Sequence, residues 1–504
     1  MKRIFTLLFV AIAVITARAT DYNVPITIII NGIVTEQTGT ITVVENDGLY
    51  DLTFNNFMLE SENGPMGVGN VALKGIKPYQ DGNATLLMAL NTISITRGDD
   101  PEVAFWMADI LPPVPVNLRA KIVDEHLRVF IDIDLRETEL QQTIQVAIGD
   151  GYQLPNQSFE FWHASVEGYE EPNGWHSFES ATGDLAALAG HHIDKSADAH
   201  SGEASARIFA TSIFGIVANG TMTTGRMNAG SMSATDPANH AYVDMSMTDL
   251  DGNGDPFYIP LYARPDSVAA WVKFKQGTPN STHPYATISA VITDGTRYQD
   301  PEDQAYTNVV AKASNNQIAV TDGQWVRVTA PFVYTENSID PKAVLITVST
   351  NADAGQGSGN DEVLVDDIEL IYNASITGLK VKGQEVPGFS PSTESTTYEM
   401  EADGEVTVDD IEVTVDGKTS HIVKEVIEED GAYRCSVDVF GEDLVNGSSC
   451  IILVKSSAAA IRSLNTDNTS STYFMLDGRQ VKTLTSGRIY IRRQANGAVT
   501  KIKA

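Results

Sequence analysis

The run "DEHLRVFIDIDL", Asp124–Leu135, decides the fold class of this chain. Leu127, Val129, Ile131 and Ile133 fall on one side of an extended backbone, and Arg128, Phe130, Asp132 and Asp134 on the other. A period of two is that of a β-strand with one face on a core. Only part of the second face is apolar, so the pattern predicts one buried side and one wet side.

The same period spreads through residues 20–150, in "NVPITIIING", "GTITVVEND", "LYDLTFNNFML", "NTISITRG" and "TIQVAIG", with Asn, Asp and Gly as breakers. No long helical pattern competes, which predicts an antiparallel meander closed or nearly closed into a barrel. Gly149, Gly151 and Pro155 in "GDGYQLPNQS" interrupt the pattern and read as a linker. Strand-like runs resume over 155–373, in "SARIFATSI", "SVAAWVKFK", "ATISAVITDG", "WVRVTAPFVY" and "EVLVDDIELIY", separated by long polar loops. Such a segment suits a large jelly-roll sandwich, and its loops are where function is expected. Residues 374–456 suit a small immunoglobulin-like sandwich. A Ser/Thr/Asn-rich linker, 457–472, then leads to a basic end, 473–504. The chain is therefore expected to be all-β.

At the start, "MKRIFTLLFVAIAVITARAT" sets Lys2 and Arg3 before an apolar run and Ala17-Arg18-Ala19 after it. This reads as a secretory signal peptide over 1–19, cut before Thr20. The run is too short to span a bilayer, and no later segment offers the roughly 20 apolar residues that a span needs. A secreted or surface-exposed protein is expected. Without residues 1–19 the chain keeps 31 basic against 66 acidic side chains. That balance disfavours nucleic acid and anionic membrane as partners, and it allows some carboxylates to hold structural Ca²⁺. Cys435 and Cys450, the two cysteines, are expected to form one disulfide in an oxidising compartment.

Chemistry-bearing groups concentrate in "SFEFWHASVEGYEEPNGWHSF", residues 158–178. Sugar binding needs flat aromatic faces with amides and carboxylates around them. Trp162, His163, Tyr169, Trp175, His176 and Glu179 are the candidates, and the loop "EPNGWH" is the expected point of contact. Trp162, Trp271 and Trp325 are also read as core. Glu160 pairs with Asp366 or Asp367 as a structural Ca²⁺ site, because a buried carboxylate needs a cation or several donors. "DLDGNGD" offers Asp249, Asp251, Asn253 and Asp255 at alternating positions, as a short Ca²⁺ loop does, although Pro260 stands where an EF-hand has its twelfth-position Glu. "HHIDKSADAH" clusters His191, His192, Asp194, Asp198 and His200, where hydrogen bonding is the simpler reading than a metal. Glu171, Glu179, Asp294 and Asp300 are available acids for glycoside hydrolysis, but no catalytic motif marks any pair.

Three resemblances add to this reading. Through "INGIVTEQTGTITV" and "NFMLESENGPMGVGNV", residues 20–150 resemble calycin-like, lipocalin-type domains. The likeness implies a barrel that either encloses a small apolar ligand or is filled and docks other proteins. Through "WHSFESATG", "AGHHIDKSADAHSGEASARIFATSIFG" and "DGTRYQDPED", residues 155–373 resemble the family called the putative carbohydrate-metabolism domain, a jelly roll like those of carbohydrate-binding modules. That likeness implies a glycan or polysaccharide partner and supplies no catalytic residue. The end of the chain, with Gly478, Val481, Gly487, Tyr490, Gly497 and the final "KIK", is similar to the sorting segment of type IX secretion substrates, which implies the exterior of the outer membrane. The sequence thus points to carbohydrate binding without catalysis. A glycoside-active enzyme in the same domain and a surface adhesin or scaffold are the alternatives.

Overall fold

The computed structural model describes residues 18–456 apart from 61–63, 139, 252, 337, 392–395 and 430–431, together with 472–475, 480–481, 489–493 and 499–503. Most of the expected signal peptide and of the expected linker therefore lies outside the described residues, as do Gly478, Gly487 and Gly497. Arg18 and Ala19 open the first strand.

Nine antiparallel strands make the first sheet. In spatial order they are Met66–Ile76, Leu49–Leu59, Ile33–Asn46, Arg18–Ile30, Thr143–Ile148, His126–Asp134, Val114–Val123, Ala84–Ile93 and Pro78–Asp81. Local chemistry sets its hairpins. Asn31-Gly32 and Asp47-Gly48 both have positive φ at the two central positions, the geometry of the tight turn that matches strand twist. The sheet curls, and Asn70 and Thr96 exchange two backbone hydrogen bonds, 2.7 and 3.1 Å, between its two end regions. The expected barrel is thus a curled half-barrel, bridged at this point. Ile26, Leu52, Leu73, Val116, Val129 and Ile131 line its core.

The central sandwich stacks two antiparallel sheets. One runs Ile193–Ser196, Ser205–Phe209, Glu362–Ile371, Ser267–Lys275, Val326–Pro331. The other runs Thr221–Thr223, Ala343–Ser349, Ala286–Thr293, Val309–Ile318, Val333–Tyr334, with Ile259–Pro260 added beside Ala343–Ser349. Alternation explains the stacking: Ile288, Ala290 and Ile292 point into the shared core, where Val272, Phe274, Val365 and Trp175 meet them. Thr287 and Ser289 point the other way. A small sheet, Arg226–Ala229, Asn239–Tyr242 and Gln299–Asp300, covers one end of that outer face over a satellite core that includes Val291, Tyr298 and Leu345.

Residues 376–456 form sheets of three and four strands, with Thr397–Ala402 parallel to Gly447–Ser456. The described residues of the basic end form a four-stranded antiparallel sheet.

Two expectations about this frame are corrected. The supposed linker is interior: Tyr152 and Leu154 are buried, and Gly151 (φ 77°) lies so close to the Tyr262 ring that a Cβ would stand 2.1 Å from it. The supposed wet face of Asp124–Leu135 is buried at Arg128 and Phe130, because the immunoglobulin-like unit docks there. Phe130 joins Leu86, Val423, Phe440 and Leu444 in an interdomain cluster. Arg128 donates to the carbonyls of Asp443 (3.2 Å) and Gly149 (2.9 Å), and both it and Lys121 lie over the Tyr152 ring. One tyrosine therefore sits where all three units meet.

Burial at this junction pushes the Asp443 carboxyl up to about 6, against the opposing pull of Arg128. A carboxyl raised above its unfolded value adds stability below about pH 4 that is lost as pH rises through about 6. Asp443→Asn lacks that titration, so its stability relative to the natural chain is expected to improve by on the order of 2 kcal/mol from pH 4 to pH 7. Urea denaturation at the two pH values checks this, and an equal difference at both contradicts it.

The expected disulfide is not formed: Cys435 and Cys450 are buried free thiols. Cys435 stands opposite Ile452 and Cys450 opposite Val437, which makes the pair diagonal neighbours on one face. Diagonal Cβ atoms lie roughly 7 Å apart, beyond the ~4 Å that a disulfide requires. Titration of the denatured, unreduced chain with a thiol reagent is expected to find two thiols; a count of zero would contradict the register.

Candidate functional site

The stretch 158–178 packs inward. Trp175 is fully buried with its ring 5.5 Å from Phe159, and His176 is 1% exposed. Trp162 packs against the main core and donates its indole N–H to the Phe159 carbonyl. His163 and Glu179 are drawn into ion pairs, with Asp251 (2.7 Å) and His191 (2.8 Å). Of the six predicted sugar contacts, Tyr169 alone is exposed, and its ring stacks on His191 at 4.0 Å. The "EPNGWH" platform is thus corrected: an aromatic face covered by its own sandwich cannot stack on a sugar.

What the stretch does is hold two loops together. Trp162–Ala164 pairs with Glu170–Pro172, placing His163 directly opposite Glu171. The predicted Ca²⁺ loop folds against this hairpin. Asp255 accepts from the Gly174 N–H (2.5 Å), Asp249 meets His176 (3.2 Å), and Asp251 accepts from the Asn253 and Gly254 N–H groups as well as facing His163. The three carboxylates of the loop thus each meet a different protein partner. Burial raises the Glu171 carboxyl; burial lowers the His163 ring's pKa, but its hydrogen bonds to Asn173 and Asp251 outweigh that and shift it upward.

The second predicted Ca²⁺ pair also meets protein donors. Glu160 accepts from the N–H groups of Glu203 and Ala204, and the buried Asp366 from those of His200 and Ser201. Burial, with Asp367 nearby, pushes Asp366 up to about 6. Asp367 pairs with His200 at 2.6 Å. His200 in turn stacks on Trp271 at 3.8 Å, so Trp271 and the edge-on Trp325 stand half-buried around His200, not in the core as expected. The clustered histidines do not all converge: His191 lies between Glu179 and Asp194 (2.9 Å), which also pairs with Arg207, while His192 bonds the Phe209 and Ala189 carbonyls and Asp198 pairs with Lys273. Asp294 caps its own turn at Thr296.

An open site lies elsewhere. The outer face of the sheet containing Ala286–Thr293 floors a groove of about 480 Å³, and the small sheet with His240 and Asp300 forms its end wall. Thr287, Ser289, Lys312, Ser314, Asn316 and Thr347 line the floor. Ser289 donates to Asp300 (3.2 Å), Thr287 to Asn316 (2.6 Å), and Lys312 pairs with Glu302 at 2.6 Å. Burial raises the Asp300 carboxyl.

Two wall residues, His240 and Asn219, each hold a buried polar atom, Nε2 and Oδ1, with no hydrogen-bond partner among the described residues. His240 Nδ1 lies 2.8 Å from the Pro237 carbonyl, which only accepts, so Nδ1 carries the proton. Burial lowers this ring's pKa and favours the neutral form. Nε2 is therefore an acceptor, as is Asn219 Oδ1.

Of these groups only Asp300 was a candidate from the sequence. The signal for the others was present in "ATISAVITDG", whose outward positions Thr287 and Ser289 carry hydroxyls where a covered sheet carries aliphatics.

The barrel holds a second open space, a cavity of about 320 Å³. Gln142 is the one polar side chain on its wall among the described residues, and Met66 and Leu140 at its edge are exposed. Among the described residues no helix is long and apolar enough to cross a membrane.

No family model matches the chain, and no curated protein matches it. Two solved structures overlap it in part. One, from Bacteroides thetaiotaomicron VPI-5482, is described as a "putative glycoside hydrolase"; it is 15% identical, with a TM-score of 0.34 over 64% of this chain and 88% of that one. The other comes from work on the promiscuous specificity of carbohydrate-binding modules of the β-sandwich superfamily; it is 10% identical, with a TM-score of 0.19 over 58% of this chain and 97% of that one.

Proposed function

We propose that this is an exported carbohydrate-binding protein whose central sandwich takes a saccharide in the groove over Ala286–Thr293. The open polar floor carries the reading: Lys312, Ser314 and Asn316 are exposed beside the half-buried Thr287 and Ser289. Amides, hydroxyls, one ammonium and one carboxylate together suit a polyhydroxylated ligand. Asp300 is the single carboxylate on the groove wall among the described residues, and glycoside hydrolysis uses a pair, so binding without turnover is favoured. A glycan array probed with the full chain tests this, followed by calorimetry and product analysis on hits. Saturable binding with intact saccharide recovered is expected. No binding across the array would contradict it and shift weight to recognition of surface proteins.

The barrel supports a second reading, binding of a small apolar ligand. The cavity is near the lower end of the usual range for small-molecule sites, and its wall offers almost no hydrogen bonding.

A further inference from the structure

The hairpin 162–172 and the loop 249–255 bring together a donor set that neither segment reveals alone. Glu171, His176 and Asp249 are all buried, and their ligand atoms lie within 4.8 Å of one another. On the other side of Glu171, its carboxylate forms a similar group with His163 and Asp251.

The ring nitrogens decide what this cluster lacks. His176 Nε2 lies 3.1 Å from the Pro256 carbonyl, and His163 Nδ1 lies 2.9 Å from the Asn173 side-chain oxygen. Both partners accept, so these far nitrogens carry protons and the near nitrogens of neutral rings direct lone pairs at Asp249 and Asp251. Lone pair facing lone pair is repulsive unless a cation lies between. Protons can serve: His163 Nε2 and Asp251 are 2.7 Å apart, the length of a charge-assisted hydrogen bond. His176 Nδ1 and Asp249 Oδ2 are 3.2 Å apart. That is long for such a bond, but it is close to the roughly 3.3 Å edge between two ligands of a tetrahedral ion with bonds of about 2.0 Å. A His ring whose far N–H is fixed on a backbone carbonyl is also the usual support of a metal ligand.

We propose that Glu171, His176 and Asp249 form a binding site for a divalent transition metal of the Zn²⁺ class, flanked by the His163–Asp251 ion pair. The imidazole in the set selects such an ion over Ca²⁺, which prefers oxygen alone. The bound ion ties the hairpin that opens the sandwich to the loop before Pro256. This site is independent of the saccharide groove.

The test uses the full chain, stripped with EDTA and exchanged into metal-free buffer, and titrated with ZnCl₂ or CaCl₂ by calorimetry, with bound metal counted by mass spectrometry. Uptake of one Zn²⁺ per chain is expected, with a melting temperature raised by several degrees and at least tenfold weaker Ca²⁺ binding. Glu171→Gln and Asp249→Asn keep side-chain shape and are each expected to weaken Zn²⁺ binding at least tenfold, as checked on whichever variant folds by circular dichroism. Absence of Zn²⁺ uptake by the folded natural chain, uptake unchanged in a folded variant, or tighter Ca²⁺ than Zn²⁺ binding would each overturn the proposal.

Discussion

Replacing Asp300 by alanine is expected to weaken saccharide binding by roughly tenfold to a hundredfold while leaving the fold intact, the loss typical of a hydrogen bond to a charged group. Asp300 ends the short strand that closes the groove, and its carboxylate is already oriented by Ser289. Orientation matters because a group held in place loses little entropy on binding. Asp300→Asn keeps one acceptor oxygen and should lose less. Tyr169→Ala, on the hairpin that the sequence favoured, should leave affinity unchanged. Calorimetry with the strongest array saccharide measures all three. Equal affinity of Asp300→Ala and the natural chain, or a large loss in Tyr169→Ala, would move the site away from the groove.

Filling the barrel should have a comparably large effect on a different ligand. Val71 and Val146 lie on separate strands and both line the cavity. Val71→Trp or Val146→Trp places an indole in space that an apolar ligand would occupy. Overpacking a filled core costs about 1–3 kcal/mol, but here the added ring has a void to enter. A fluorescent long-chain fatty-acid analogue is expected to bind the natural chain saturably, and each folded variant at least tenfold more weakly. Saccharide affinity should not change. Unaltered probe binding in both variants would place the probe outside the barrel.

The sequence carried the architecture well because alternation is a local property. Each strand of the barrel shows which face meets a core, and Asn31-Gly32 and Asp47-Gly48 show where the chain reverses. It failed where the outcome depends on what packs on the second face. Arg128 and Phe130 read as a wet face because nothing in their own strand signals that Phe440 and Asp443, more than 300 residues later, will cover them. The same limit governed the site. Trp175 and His176 drew attention by residue type, yet aromatic density marks core as readily as contact surface, and here both lie inside. The groove is built from Thr, Ser and Asn, which are unremarkable singly and become a site when three strands place them side by side. The sequence also singled out "EPNGWH" and "DLDGNGD" separately; that His176 meets Asp249 is a tertiary fact.

A crystal structure of the full chain with the strongest array saccharide tests the central claim most directly. The account predicts the sugar over Thr287 and Ser289, with hydroxyls bonded to Asp300 and Asn316. A sugar bound at the hairpin 162–172 or on the barrel, with the groove empty, would contradict it.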